Sequence, residues 1–184
     1  MKSHIGALLL AIQNKWKNVL ILEDDVAWNR FETNYKELER LVKIPKWDVC
    51  MLGGLFADKD GNRVLSAIYA HAYLVNSHYY SKLLAHFQEG LQLKLSHYGM
   101  TDVFHNDVYW IKLQTRDRWL GVFDCLCVQR SGFSDTHNRS LINNIHDPEG
   151  VLFAKRCRQM FESGVIVGVV PKTFSLFRVK QLPR

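Results

Sequence analysis

Cysteine and proline are scarce in this 184-residue chain, four of each. Four cysteines at this length do not make a disulfide framework. Cys125 and Cys127 lie two apart, share a face if they sit on one strand, and cannot readily pair with each other. No second cysteine pair stands at ligand spacing, so a zinc site is not expected. Four reduced, buried thiols fit a cytoplasmic protein. Long apolar runs are missing too. The runs 6–12 and 164–170 have seven residues each and none exceeds nine (49–57), against the roughly 20 that cross a bilayer, so no transmembrane helix is expected. No small-residue cleavage site follows the first run before Gln13-Asn14-Lys15-Trp16-Lys17, and no cleavable signal peptide is expected. Internal repeats, low-complexity stretches and Gly/Pro/Ser linkers are absent, which leaves one domain of ordinary size.

What is present is a globular composition, 47% hydrophobic and 23% charged, which excludes a mainly disordered chain. The net charge of +6 is local. Residues 1–150 carry 17 basic and 17 acidic side chains, and residues 151–184 hold seven basic ones opposed only by Glu162. A basic tail suits phosphate, an acidic membrane surface or a protein partner, or it solubilises the terminus.

Residues 3–14 read as a helix with Ser3 as its N-cap. Val19-Leu20-Ile21-Leu22 is a continuous apolar run ending in Glu23-Asp24-Asp25, the pattern of a short, buried, parallel strand. Residues 34–43 read as a helix with Tyr35, Leu38, Leu41 and Val42 on its inner side, stopped by Pro45. Residues 47–52 make a second strand broken by Gly53-Gly54, and 58–62 a turn. Further on come a strand at 67–75, a helix at 77–88 with Tyr80, Leu83, Leu84 and Phe87 inward, a helix at 102–114 and a strand at 122–129. A polar loop, 131–144, precedes a helix at 151–161 and an apolar strand at 165–170. This alternation predicts an α/β domain with a mixed sheet flanked by helices over residues 1–150. Residues 151–184 are expected as a basic helix-and-strand segment packed on it.

Three adjacent carboxylates at the end of an apolar strand repel one another and are most comfortable beside a cation. Oxygen-only ligands favour Mg²⁺ or Mn²⁺, which commonly keep substrate phosphates as further ligands. Ligands of open α/β sheets bind outside the carboxyl ends of strands, where this triplet stands. The alternative is that Asp24 or Asp25 only caps the next turn.

The run Leu20-Ile21-Leu22-Glu23-Asp24-Asp25-Val26 resembles the signature of glycosyltransferase family 25, which includes lipopolysaccharide and procollagen galactosyltransferases. Ser3-His4 is similar to the family's Leu-Ser-His element. Trp47-Asp48 followed by Leu52-Gly53 resembles its next strand, and Ala72-Tyr73-Leu74-Val75 followed by Lys82-Leu83-Leu84 resembles a later block. Asp107 stands in a similar place to a family aspartate, and Gln129 with Ser134-Asp135, here followed by Thr136, resembles the closing element. The pieces keep their order from Ser3 to Thr136.

The resemblance implies a GT-A-like fold and transfer of a sugar, galactose by default, from a UDP-sugar donor to a saccharide or other hydroxyl acceptor. It implies Asp25, with Glu23 or Asp24, holding Mn²⁺ or Mg²⁺ against the donor diphosphate, and His137 completing the metal shell. His4, Glu23, Asp24, Ser134 and Asp135 are the implied donor-binding residues. Asp107, ahead of Asp102, is the implied catalytic base for the acceptor hydroxyl. Each has a plainer alternative: helix-start hydrogen bonding for His4, an exposed helix position for Asp107, a turn for Ser134-Asp135, an exposed loop for His137. Lys82 reaches phosphate or lies on a solvated helix face. Trp110 and Trp119 stack on sugar or pack in the core, and Arg116-Asp117-Arg118 reads as a solvated run.

One departure matters. The family's opening strand–helix units are not in this sequence, which is expected to leave a strand edge and an apolar face uncovered. A truncated product, a second subunit as in a homodimer, or the C-terminal segment filling the place are the explanations. The same departure sets a catalytically impaired, glycosyltransferase-like binding or scaffold protein beside the enzyme as the alternative. A metal-dependent phosphohydrolase or nuclease ranks third, since no Gly-rich phosphate loop with Lys accompanies the acidic residues, and no nucleic-acid partner is expected.

Overall fold

The computed structural model describes residues 1–97, 102–130 and 147–163, with the backbone of two short strands, 132–134 and 139–141. The Ala- and Leu-rich start forms α1 (Lys2–Gln13), whose buried residues His4, Leu8 and Ala11 recur at helical spacing. Ser3 does not cap it; the helix begins one residue earlier with no side-chain cap. It closes in a Schellman arrangement: Trp16 N–H donates to the Ala11 carbonyl and Lys15 N–H to that of Ile12, with Lys15 left-handed at φ 52°.

Next come β1 (Asn18–Leu22), β2 (Val26–Trp28), α2 (Phe31–Val42), β3 (Val49–Met51), β4 (Leu55–Asp60), β5 (Arg63–Ile68) and β6 (Ala72–Asn76). A short 3-10 turn (Ser77–Tyr79) leads into α3 (Tyr80–Ser96), followed by two single-turn helices, α4 (Asn106–Tyr109) and α5 (Ile111–Gln114). Then come β7 (Trp119–Gly121), β8 (Cys127–Gln129), β9 (Gly132–Ser134), β10 (Arg139–Leu141) and α6 (Pro148–Ser163).

The fold is mixed α/β, as expected. Six strands form one sheet in the order β1-β6-β3-β7-β5-β4, while β2 pairs with β8 and β9 with β10. β1 and β3 are both antiparallel to β6, and β7 is parallel to β3. The carboxyl ends of β1, β3 and β7 therefore share one sheet edge.

Period-two alternation divides the core between the two faces. Val19, Ile21, Val49, Met51, Tyr73 and Val75 join α1, α3, α5 and α6 in the larger cluster. Cys50, Leu52, Ala72, Leu120 and Val122 face the other way, against Leu41 of α2. α6 packs on α5, β4 and β5.

Several expectations need correction. Among the described residues, β1 is not a buried parallel strand but an edge strand, antiparallel to its neighbour, with every second residue exposed; the run is apolar throughout, yet the described residues cover only one of its faces. The stretch 67–75 is two strands, because Tyr69 takes φ 74° and turns the chain between β5 and β6. Of the stretch 122–129 only Cys127–Gln129 is strand, 122–126 being a turn with Cys125 at φ 53°, so Cys125 and Cys127 do not share a strand. The turn placed at 58–62 is tighter, with Gly61 at φ 57° joining β4 to β5. The helix at 102–114 is two separate turns. On α2, Tyr35 is exposed and Asn34, next to it, is buried along with Leu41. The loop at 131–144 contains the β9–β10 hairpin. The strand placed at 165–170 lies outside the described residues.

Candidate functional site

The acidic triplet leaves the sheet at the carboxyl end of β1, where the Glu23 N–H donates to the His71 carbonyl. One step across the edge, Leu52 N–H bonds the Ala72 carbonyl, and Cys127 N–H bonds that of Leu52. These crossings draw Glu23, His71, Gly53 and Cys127 together, although they lie up to about a hundred positions apart in the chain.

Asp25 is held by the small β2–β8 ladder, whose register sets Val26 opposite Gln129. The Gln129 amide donates to Asp25 Oδ2 at 2.7 Å, and Arg130 N–H donates to the Asp25 carbonyl. Asp25 Oδ1 is buried and has no hydrogen-bond partner among the described residues. An unpaired buried carboxylate oxygen is costly and marks a place where a donor or cation would be stabilising.

Glu23 is engaged differently. Its Oε1 lies 3.2 Å from His4 Nε2, while His4 Nδ1 lies 2.7 Å from the Tyr73 hydroxyl. His4 is thus neither a bare helix-start residue nor free to meet a ligand; it is buried and bridges α1, β6 and the triplet. Asp24 is exposed, with its carbonyl taken by the Arg130 guanidinium at 2.9 Å.

Asp107 is not an exposed helix residue. Its Oδ2 accepts the Tyr69 N–H at 3.2 Å. Burial raises its carboxyl above the usual range and the negative charge of Glu23 adds to this, while His105 and the Tyr69 bond act the other way. Asp102 is exposed.

Sequence reasoning missed His71. Its Nε2 lies 3.2 Å from the Cys127 carbonyl and so carries the proton, which leaves Nδ1 a buried acceptor without a donor among the described residues. Burial lowers its pKa despite the Cys127 bond and the nearby charges of Glu23, Asp25 and Asp107. Gly53 makes room for it: a Cβ there would lie 2.5 Å from His71 Nε2 and 2.0 Å from the Cys127 carbonyl oxygen. A histidine between two apolar strands carries no spacing signal; only the strand crossings reveal it.

Among the described residues, no three His, Cys, Asp or Glu side chains gather as a metal-binding group. His137 and Asp135 lie outside the described residues, as does the Ser134 side chain. The donor set fits a hard cation in part: Asp25 offers an open oxygen, while Glu23, two residues earlier, has Oε1 engaged by His4. Past the ends of β3 and β7, an open pocket of about 600 Å³ is lined by Asn29, Arg30, Gly54, Phe56, Phe123 and Asp124, and by no residue of the triplet.

Other candidates fall elsewhere. Lys82 pairs with Asp117 at 2.6 Å, and Asp117 also accepts the Tyr79 hydroxyl. This cluster lies just before β7, at the amino-terminal edge of the sheet. Asp117 is therefore not part of a solvated run. Trp110 and Trp119 are fully buried, 5.1 Å apart edge to face, and pack the core. No protein-family model and no curated protein sequence matches the chain.

Proposed function

We propose that this chain is a divalent-metal-dependent glycosyltransferase of GT-A-like fold, taking sugar, galactose by default, from a UDP-sugar to a hydroxyl acceptor. The observation that carries the reading is the buried Oδ1 of Asp25, without a partner among the described residues, at the carboxyl edge of three strands. Asp25 and Glu23 would hold Mn²⁺ or Mg²⁺, with His137 as a third ligand; when bound, the ion neutralises charge on the departing nucleotide diphosphate. Gln129 holds the Asp25 carboxylate with one oxygen free. Asp24, Ser134 and Asp135 are the donor-binding residues of this reading, and His4 orients Glu23. Asp107 takes the acceptor proton, and its raised proton affinity suits a base.

A second reading, a glycosyltransferase-like binding or scaffold protein, is favoured by one observation: Glu23 is already occupied by His4. Calorimetric titration of UDP, with and without Mn²⁺, separates the two. The enzyme reading expects manganese-dependent binding that falls at least tenfold in Asp25→Asn, which keeps an acceptor for Gln129 and so keeps the local fold. Absence of UDP binding in both proteins would abandon the transferase and leave the scaffold.

A further inference from the structure

β1 ends the six-stranded sheet, and among the described residues nothing pairs with its outer side. Its inner hydrogen bonds fix which groups face outward. The Glu23 N–H bonds the His71 carbonyl and the Lys17 carbonyl accepts from Ser77 N–H, so the odd residues 17 to 23 turn their backbone toward β6. Asn18, Leu20 and Leu22 therefore turn their N–H and C=O groups outward. The strand Asn18–Leu22 has no charge, no proline and no bulge, the usual protections of an exposed edge. Exposed large apolar side chains concentrate on it and on the segment before it in the chain. Leu9, Leu10, Ile12, Trp16, Leu20 and Leu22 are 38 to 50% exposed, more than half of the large apolar side chains exposed in the described residues.

We propose that the outer edge of β1 is a self-association surface, pairing antiparallel with β1 of a second copy about a two-fold axis through Leu20. The charges around the strand select this partner and this direction. Lys15 and Lys17 precede it and Glu23, Asp24 and Asp25 follow it. In antiparallel register centred on Leu20, residue 18 faces 22 and Lys17 faces Glu23 of the second copy, with Lys15 brought toward its Asp24-Asp25. A parallel pairing would set lysine beside lysine and carboxylate beside carboxylate. It would also fail to close as a two-fold.

The same register matches the backbone. The outward N–H and C=O of Leu20 meet those of its own copy, and Asn18 meets Leu22 on either side. Two Leu20 side chains then lie directly opposite on the face away from α1, extended by Leu22 of each copy. On the other face the two α1 helices, which pack on β1, come alongside. Lys17 of the second copy reaches the edge of the acidic site, where its charge favours an anionic ligand. The inference does not depend on the reaction proposed above.

Sedimentation equilibrium of the full chain tests it. The wild type is expected at twice the chain mass, with dissociation strengthened at least tenfold by Lys17→Glu and increased by salt. Leu20→Lys sets like charges face to face on the axis and is expected to give a monomer with an unchanged circular dichroism spectrum. Should that variant fail to fold, Leu20→Cys decides: only this register sets position 20 opposite itself, so mild oxidation yields a disulfide-linked dimer. A wild type that stays monomeric at micromolar concentration overturns the proposal. So does a dimer that survives Leu20→Lys, or one that Leu20→Cys fails to cross-link.

Discussion

The His86 imidazole lies parallel to the Tyr109 ring, centroids 4.4 Å apart, and its Nε2 bonds the Tyr109 carbonyl at 3.0 Å. Burial, only partly offset by that bond and by Glu89, lowers its pKa from 6.5 to about 4. Because the folded value is depressed, the unfolded chain binds the extra proton first. Stability is intact above pH 6.5 and is lost as pH falls toward 4, by up to about 3 kcal/mol. Thermal unfolding across this window is expected to show a falling midpoint, and His86→Gln, which keeps a donor for Tyr109, to flatten that slope. His71 follows the same sign, since burial depresses it as well. Desolvation, rather than a neighbouring charge, is the leading influence on both rings.

At the scale of elements, the candidate site is held by where strands end. β3 stops at Met51, and the glycine two residues later lets β6 and the turn before β8 close over it. Gly53→Ala would push a methyl into the Cys127 carbonyl and the His71 ring, and the rigid carbonyl cannot yield. A loss of about 2 kcal/mol or more is expected in urea unfolding, with His71 displaced from Cys127, visible as a changed imidazole shift by NMR. α5 is fastened in a similar local way. Gln114 imitates a strand, accepting the Ala67 N–H at 2.8 Å and donating to the Ala67 carbonyl at 3.1 Å, while Trp110 donates to the same carbonyl. Two helical turns too short to be stable alone are thereby tied to β5.

Over the whole molecule, the four cysteines report on the core. Cys50, Cys125, Cys127 and Cys157 are all buried and unpaired, and burial raises the thiols of Cys50, Cys127 and Cys157 to about 12. Cys50 and Cys127 sit in the core facing α2 and Cys157 in the one facing α3 and α6. A thiol reagent is therefore expected to label none of them in the native protein at neutral pH and all four in denaturant. Labelling of one cysteine ahead of the rest would show that its face opens independently. Arg158 of α6 joins the layers, paired with Asp58 of β4 and with Glu162.

Much of this was legible in the residues themselves. Alternating apolar strands and amphipathic helices announced a mixed α/β sheet, and the acidic triplet announced its own position, because an apolar run can end in three charges only where the chain leaves the core. Strand breaks were not legible, since Tyr69 and Cys125 adopt left-handed backbone that neither residue type signals. Whether β1 is covered on one face or two was equally hidden: Val-Leu-Ile-Leu reads the same in either case, and the answer depends on which strand lies beside it. The sequence by itself determined the hydrophobic pattern, the strand that carries the carboxylates and the charges on either side of it. Only the tertiary structure decided that His71, Gln129 and Asp107 join Glu23 and Asp25, and that β1 is an edge. Those facts belong to pairings between segments tens of residues apart, and a linear pattern holds no information on which distant backbone will supply its hydrogen bonds.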